Sequence, residues 1–548
     1  MILMDTILVL VELLLCVILF IVAGKAEKYV TSKWRICYFV PVLICIIFIT
    51  VSGFEPLMLG TYIGSVLMLL GFIRDSKKIR QFVSIIGAIA VVATMPICTD
   101  NVDYRSIDYV ANFNKGFDSM KKHYVLQEHK GINWDELYEK YLPKFEAAYK
   151  SHDEVENFIA WTEFCAEFKD GHVAYAPKDM DRITEKAYNK LFGNDYGLSL
   201  MSLDDGRIVA VNVEEGSEAQ LAGIHNGTVI TAWDGKNPIE IGEKYVKYAM
   251  PVFADYENEM FCRAAFGAGE GGDSVTVSYI NDNGEDCEIL LSKIGNYYDR
   301  LKSTLNPLTT GINAGHLTWT EVSDDTVVFC IKQMMFDSES MTSGQHRAMQ
   351  DSIYLKALEY KAAGYKNLIL DLRGNGGGSG QMVKALAELF TPVGEHLYCY
   401  DGTWDYDKNE YVKDAETGKF LKGTKQVYTG EDIWEGNPIV ILVNAGSISA
   451  ADHAVKVMGG YDNITVMGLT KPNGSAQGIG GVMLEDGMLQ FSSSLMLDED
   501  GNVFIDSGTD YQSDNQLEIK IPFDEEAVKA IYDNNEDYVL NKAMQYLG

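Results

Sequence analysis

The chain has 548 residues, with 46 Lys and Arg against 78 Asp and Glu, and a formal net charge of −32 at pH 7. That length exceeds a single hydrophobic core and calls for three or four domains. Such an acidic chain repels phosphate backbones, which excludes nucleic acid as a partner, and nine cysteines without a CxxC spacing point to neither a metal site nor a disulfide framework.

Residues 1–99 carry four apolar runs, roughly 7–23, 36–52, 57–73 and 82–97. Each approaches the ~17–25 residues that span a bilayer, which predicts four transmembrane helices. Lys25, Lys28, Lys33 and Arg35 lie between the first and second runs, and Arg74, Lys77, Lys78 and Arg80 between the third and fourth. The positive-inside rule puts both connections in the cytoplasm. The expected localisation is therefore multi-pass in the cell membrane, with the lipid bilayer as a partner and the large C-terminal part outside the cytoplasm. Charge divides the same way, with a net +3 over 1–99 and −35 beyond. Glu12, inside the first run, sits near its outer end and reads as a wetted interfacial carboxylate.

Residues 100–185 repeat apolar positions at helical spacing and predict a small helical domain. Residues 186–300 read as short β segments (YGLSLMSL, RIVAVNV, TVITAW, SVTVSYI) separated by Asp-Gly and Asn-Gly turns. Residues 301–548 alternate strand and helix, as in an α/β domain, interrupted over 398–434 by an aromatic, charged insert expected to form a hairpin or flap. Cys262 and Cys287 fall in the β region, where nothing in the sequence supports pairing them.

Two turns in the last region carry the chemistry. In NLILDLRGNGGGSG, residues 367–380, and in PIVILVNAGSISAADHAVKVM, residues 438–458, an Ile/Leu/Val-rich strand stops abruptly and a helix pattern follows. Glycines after a strand leave backbone N–H groups free to face a ligand. Ser449 opens the second helix, where N–H groups and the helix dipole favour developing negative charge. One turn can supply a nucleophile and the other part of an oxyanion hole, from the N–H groups of Gly376 or Gly377 together with Ala450. The competing reading makes Ser449, or Ser447, a helix cap. GNGGG is not a phosphate loop, because no Gly-Lys-Ser/Thr ends it.

Taken together, these segments resemble the C-terminal processing, or tail-specific, proteases over about residues 105–535, and the core of the tricorn protease. KGINWDELYEKYLP followed by KDGHVAY is similar to the helical N-terminal part of the tricorn-like branch. YGLSL…VEEGSEAQLAGIHNGTVITAWDG is similar to a protease PDZ domain, LDLRGNGGG to the family's oxyanion loop, and VNAGSISAAD to its nucleophile motif. The four apolar runs lie outside the resemblance; with them the expected fold is multidomain: four transmembrane helices over 1–99, a helical part over 100–185, a PDZ-like β domain over 186–300 and, as the resemblance implies, a crotonase-like α/β catalytic core over 301–548. Ser449 takes the nucleophile position by this resemblance.

The resemblance leaves two bases open. The tricorn-like branch uses a histidine, matched by His172, and imidazole titrates near neutrality without help. The other branch uses a lysine, whose matching position falls at Gly474 or Ser475, with Lys471 close by. A serine just before the histidine is replaced here by Gly171. Asp510 stands for the family's C-terminal glutamate, and Asp170 reads as a turn former. His453, on the helix face of Ser449, reads as packing or solvated. Gly197, Leu198, Ser199 and Leu200 match the carboxylate-binding loop of a PDZ domain, where a peptide adds as a strand. The implied function is a membrane-anchored serine endopeptidase acting, without a metal or other cofactor, on polypeptides with free C-termini. The alternatives are an inactive PDZ scaffold or a lipid-binding relative.

Overall fold

The computed structural model describes residues 14–19, 37–52, 59–73, 79, 81–87, 89, 104, 106–309, 315–335, 343–405, 407–408, 410–508 and 517–548. The chain divides into two compact units, Met1–Asp103 and Tyr104–Gly548.

In the first unit the expected four-helix transmembrane region is not borne out. Among the described residues no helix is long and apolar enough to cross a membrane. The helices Val40–Ser52 and Leu59–Ile73 have 13 and 15 residues. At about 1.5 Å per residue each covers roughly 20–22 Å, against a hydrocarbon core of about 30 Å. The apolar composition is present, and the helical length is not. Most of the runs 7–23 and 82–97, and Glu12 with them, lie outside the described residues. The multi-pass membrane localisation inferred from the runs is corrected with them.

In the second unit, the helices Tyr109–His123, Trp134–Ser151 and Glu154–Ala166 start at Asp108, Asn133 and Asp153, whose side chains accept from backbone N–H groups of the first turn. Their apolar faces meet in an aromatic cluster in which Phe113 stacks on Phe145 at 4.3 Å and Trp161 on Tyr175 at 5.3 Å. Tyr175 belongs to the strand Ala174–Pro177, which pairs antiparallel with Gly487–Ser494 in the register Ala174↔Gln490. This pairing carries residues 170–173 into the α/β region.

The next segment forms a hairpin of Ser199–Ser202 with Ile208–Val211 and a three-stranded antiparallel sheet of Ile230–Trp233, Ser274–Ile280 and Asp286–Ser292. The helix Tyr256–Gly267 packs on the free edge of Ser199–Ser202. Cys262 and Cys287 are free thiols. The insert is a long hairpin of Gly394–Gly402 and Lys422–Gly430.

The α/β region is built on a six-stranded sheet in the order Ile519–Lys520, Ile464–Gly468, Ile439–Leu442, Asn367–Asp371, Thr326–Cys330, Thr318–Glu321. Every pairing is parallel except the last. The three central strands are buried at every residue, which explains their continuous Ile, Leu and Val runs. Helices Ser343–Ala363, Gly380–Phe390 and Ala450–Met458 lie in the crossovers between the central strands. Asn367–Asp371 and Ile439–Leu442 are direct neighbours, in the register Asp371↔Leu442. The glycine loop and the Ser449 turn therefore leave the same sheet edge side by side, where ligands bind in open α/β sheets.

A buried ion cluster fixes the first of these turns. Arg373, 1% exposed, donates to both oxygens of Asp371 at 2.9 and 2.8 Å and to both oxygens of Asp537 at 2.7 and 2.9 Å. Asp537 also caps the helix Tyr538–Leu547, so the end of the chain is latched to the residue preceding the glycine loop. Bidentate geometry on both sides offsets the desolvation of a fully buried guanidinium.

Candidate active site

Ser449 sits at the tip of a strand–turn–helix elbow with φ 63° and ψ −117°, in the left-handed half of backbone space that a serine seldom adopts. The turn is held from several sides. The Ser449 N–H is shared between Ser475 O and Asp452 Oδ2, both at 3.0 Å, and Asp452, fully buried, also accepts from Gly474 N–H at 2.9 Å and Ser475 N–H at 3.3 Å. Ser447 is not the helix cap. Its hydroxyl donates to Leu372 O at 2.8 Å and accepts from Asn444 N–H at 3.1 Å, tying the two strand ends together. Ile448 N–H donates to Asn375 O at 3.0 Å, which joins the elbow to the glycine loop.

Within that loop Asn375 is buried and spans the turn, donating to Ile331 O at 2.8 Å and accepting from Gly377 N–H at 2.9 Å. The Gly377 N–H is thus engaged, whereas the N–H groups of Gly376 and Ala450 have no bonded acceptor among the described residues. Gly377 contributes absence of bulk instead. At φ +85°, a Cβ there would lie 2.5 Å from Ser449 Cβ and 2.8 Å from Ile448 O.

A cavity of about 650 Å³ opens between the two turns, lined by Gly376, Gly377, Ser449, Ala450, His172 and His453 among others. The structure thus brings together, around one space, candidates separated by hundreds of residues. His172 reaches it from the turn ahead of Ala174–Pro177. It is 3% exposed and its Nε2 has no hydrogen-bond partner among the described residues. Burial pushes its pKa below the usual imidazole value, while the Asp170 carboxylate and the Gln477 carbonyl pull it back up. His453 packs between Tyr398 and Phe504, with ring centroids at 4.7 and 4.6 Å, and its Nδ1 lies 3.2 Å from Tyr398 Oη. Burial, the Lys384 ammonium and His172 together push it down to about 3. A base that weak is far from the pKa near the working pH that proton transfer favours. His172, with a carboxylate beside it, is better suited.

Lys471 is elsewhere. Its ammonium lies 3.0 Å from Glu257 and 3.7 Å from Asp255, beside a different cavity of about 240 Å³. Of the two positions that match the lysine base, Gly474 is crowded and Ser475 is a serine turned to the histidine. A Cβ on Gly474 would meet Ser507 Oγ at 2.1 Å, and the Ser475 hydroxyl faces the histidine turn, accepting from Gly171 N–H at 2.9 Å. Asp510 lies outside the described residues. Asp506, from the same segment, is buried. Burial opposes its ionisation, but Lys130 at 2.6 Å and His129 at 3.2 Å hold its carboxyl below the usual range. Lys130 also donates to Lys169 O at 3.1 Å, so this segment supports the histidine turn through a lysine.

Gly197, Leu198, Ser199 and Leu200 are buried and do not line the Ser449 cavity. Gly197 N–H donates to Asp195 at 2.9 Å. The Tyr297 hydroxyl bridges the edge strand and the helix facing it, 2.5 Å from Ser199 Oγ and 2.7 Å from Ala265 O.

Sequence reasoning passed over two residues. Asp170 makes the expected turn, its backbone O accepting from Val173 N–H at 2.9 Å, but its side chain also enters the site, 2.8 Å from Ser492 Oγ. Ser492 belongs to no motif, and only the register of Ala174–Pro177 against Gly487–Ser494, continued by two residues, would have placed it opposite His172.

The class this region defines is that of a serine-type peptidase: the family model of Peptidase family S41 matches residues 336–512, a segment holding both the glycine loop and Ser449. Similar solved structures include mature CPAF complexed with lactacystin, at 12% identity and TM-score 0.49, covering 80% of this chain and 98% of that one. The photosystem II D1 C-terminal processing protease is similar at 17% identity and TM-score 0.31, covering 78% and 97%. The tricorn protease is similar at 14% identity and TM-score 0.34, covering 80% of this chain and 36% of that one. No curated protein sequence matches.

Proposed function

We propose that this peptidase is an endopeptidase for unfolded polypeptides, with Ser449 as nucleophile and His172 as base. The observation that carries this reading is the convergence of Ser449, His172 and the glycine loop on one cavity. Ser449 Oγ bonds to the carbonyl carbon as its proton passes to His172 Nε2. The carbonyl oxygen, now negative, lies against the N–H groups of Gly376 and Ala450. Collapse breaks the C–N bond, and the leaving amine takes the proton from His172. A water molecule activated by the same imidazole then releases the acyl group.

Lys471 is left out of this chemistry. Lys471→Ala is expected to hold kcat within about threefold and to cost under about 1 kcal/mol of stability, the ordinary worth of a partly exposed ion pair. Loss of a true general base would lower kcat by ~10²–10⁴. Steady-state kinetics separates the two.

The β segment is proposed to hold substrate C-termini by strand addition beside Ser199–Ser202, whose outer edge has no strand partner among the described residues. The test is digestion of an unfolded polypeptide with its C-terminus free or amidated. Slower cleavage of the amidated form, through KM, supports tail capture, and equal rates remove it. Binding of the free form without cleavage would instead favour the inactive scaffold.

A further inference from the structure

We propose that Ser492 is a positioning residue which, with Asp170, fixes the ring of His172 in the tautomer a general base needs; this rests on the reading of His172 as base. A side chain at position 171, next to the histidine, would have to displace its neighbours. A Cβ on Gly171 would stand 2.3 Å from Asn473 Oδ1 and 2.5 Å from Ile448 Cδ1. A hydroxyl arrives instead from the neighbouring strand, 320 residues away in sequence.

Counting protons gives the tautomer. Ser492 Oγ lies 2.8 Å from Asp170 Oδ2 and 3.5 Å from His172 Nδ1. Tyr124 donates to the same Oδ2 at 3.2 Å, and Asp170 Oδ1 accepts the backbone N–H of His172 at 2.9 Å. Asp170, His172 and Ser492 are 1%, 3% and 0% exposed, so bulk water does not compete for these bonds. An ionised carboxylate only accepts, so the single Ser492 proton goes to Asp170. What Ser492 turns toward Nδ1 is then a lone pair, and Nδ1 carries the ring proton. Nε2 is left bare, and it is the ring nitrogen without a hydrogen-bond partner among the described residues. When Nε2 takes up a proton, the Asp170 charge steadies the imidazolium through the intervening hydroxyl. The other charged or titratable groups near this ring are His453 on the helix Ala450–Met458, Tyr124 on the far side of Asp170, and the Asp506–Lys130 pair beyond it.

Four variants of the full chain, compared by pH–rate profile and thermal melting, test the proposal. Ser492→Ala is expected to lower kcat by roughly 10–100-fold with little change in KM, and to move the acidic limb of kcat/KM to lower pH. Ser492→Thr, which keeps the hydroxyl, restores much of the rate, and Asp170→Asn loses more than Ser492→Ala, up to ~10³–10⁴-fold. If Ser492→Ala folds and keeps both kcat and its acidic limb while Ser449→Ala is inactive, the positioning role is overturned and the serine mechanism stands. If Ser449→Ala retains turnover, the underlying reading fails first. Nitrogen NMR of isotope-labelled histidine in the unaltered protein checks the tautomer without any substitution. A proton on Nδ1 of His172 supports the assignment, and one on Nε2 overturns it.

Discussion

Replacing Ser449 by alanine is expected to lower kcat by roughly 10⁴–10⁶-fold while leaving the fold intact. The substitution deletes one hydroxyl at a helix N-terminus, where such losses cost about 1 kcal/mol. That hydroxyl is one half of a capping box with Asp452, and the elbow has further ties. Its backbone is held by Asp452, by the Ser475 carbonyl and by Asn375. An unchanged melting curve beside abolished turnover is therefore the predicted pair of results. Residual turnover above one part in about a thousand would place the nucleophile elsewhere.

Gly377→Ala is the second large effect, and it acts without removing a catalytic group. An L-residue at φ +85° costs about 1–2 kcal/mol, and the new methyl would press on Ser449 Cβ at 2.5 Å and Ile448 O at 2.8 Å. Neither neighbour yields easily, because both belong to the pinned elbow. The glycine loop must retreat, carrying the Gly376 N–H away from the developing oxyanion. The expected loss is ~10²–10³ in kcat, the usual cost of one oxyanion donor, with about 1–3 kcal/mol of stability. Gly376→Ala is the control: a Cβ there meets nothing within 4 Å, so its melting point should match the parent's. Kinetics and calorimetry on the two variants check the contrast. Equal behaviour would mean that Gly377 is not pressed against the nucleophile.

What could be read from the sequence was what local pattern encodes. Asn367–Asp371 and Ile439–Leu442 announce themselves as buried strands because parallel strands covered on both faces are continuously apolar. The turns after them follow from glycine and serine chemistry. His172 was legible only through its resemblance to a family motif, since a lone histidine says nothing about where its ring points. Ser492 was illegible, because its role depends on strand register across more than 300 residues. Asp170 was read for its turn and not for its second oxygen. The glycine at 171, which reads as a departure from the motif, lies close against the side-chain ends of Asn473 and Ile448. The N-terminal runs misled for a different reason: among the described residues no helix is long and apolar enough to cross a membrane, Val40–Ser52 and Leu59–Ile73 having 13 and 15 residues. In the β segment, pattern marked out Gly197–Leu200 but could not show that the Tyr297 hydroxyl ties Ser199 to the Ala265 carbonyl.

The central claim is that one serine, Ser449, is activated in the cavity it shares with His172. The most direct test is to treat the native chain with a fluorophosphonate and map the adduct by peptide mass. A single adduct on Ser449, absent after unfolding and strongly slowed in His172→Ala, is the result predicted here. Labelling of another serine, or equal labelling of native and unfolded chain, would contradict it.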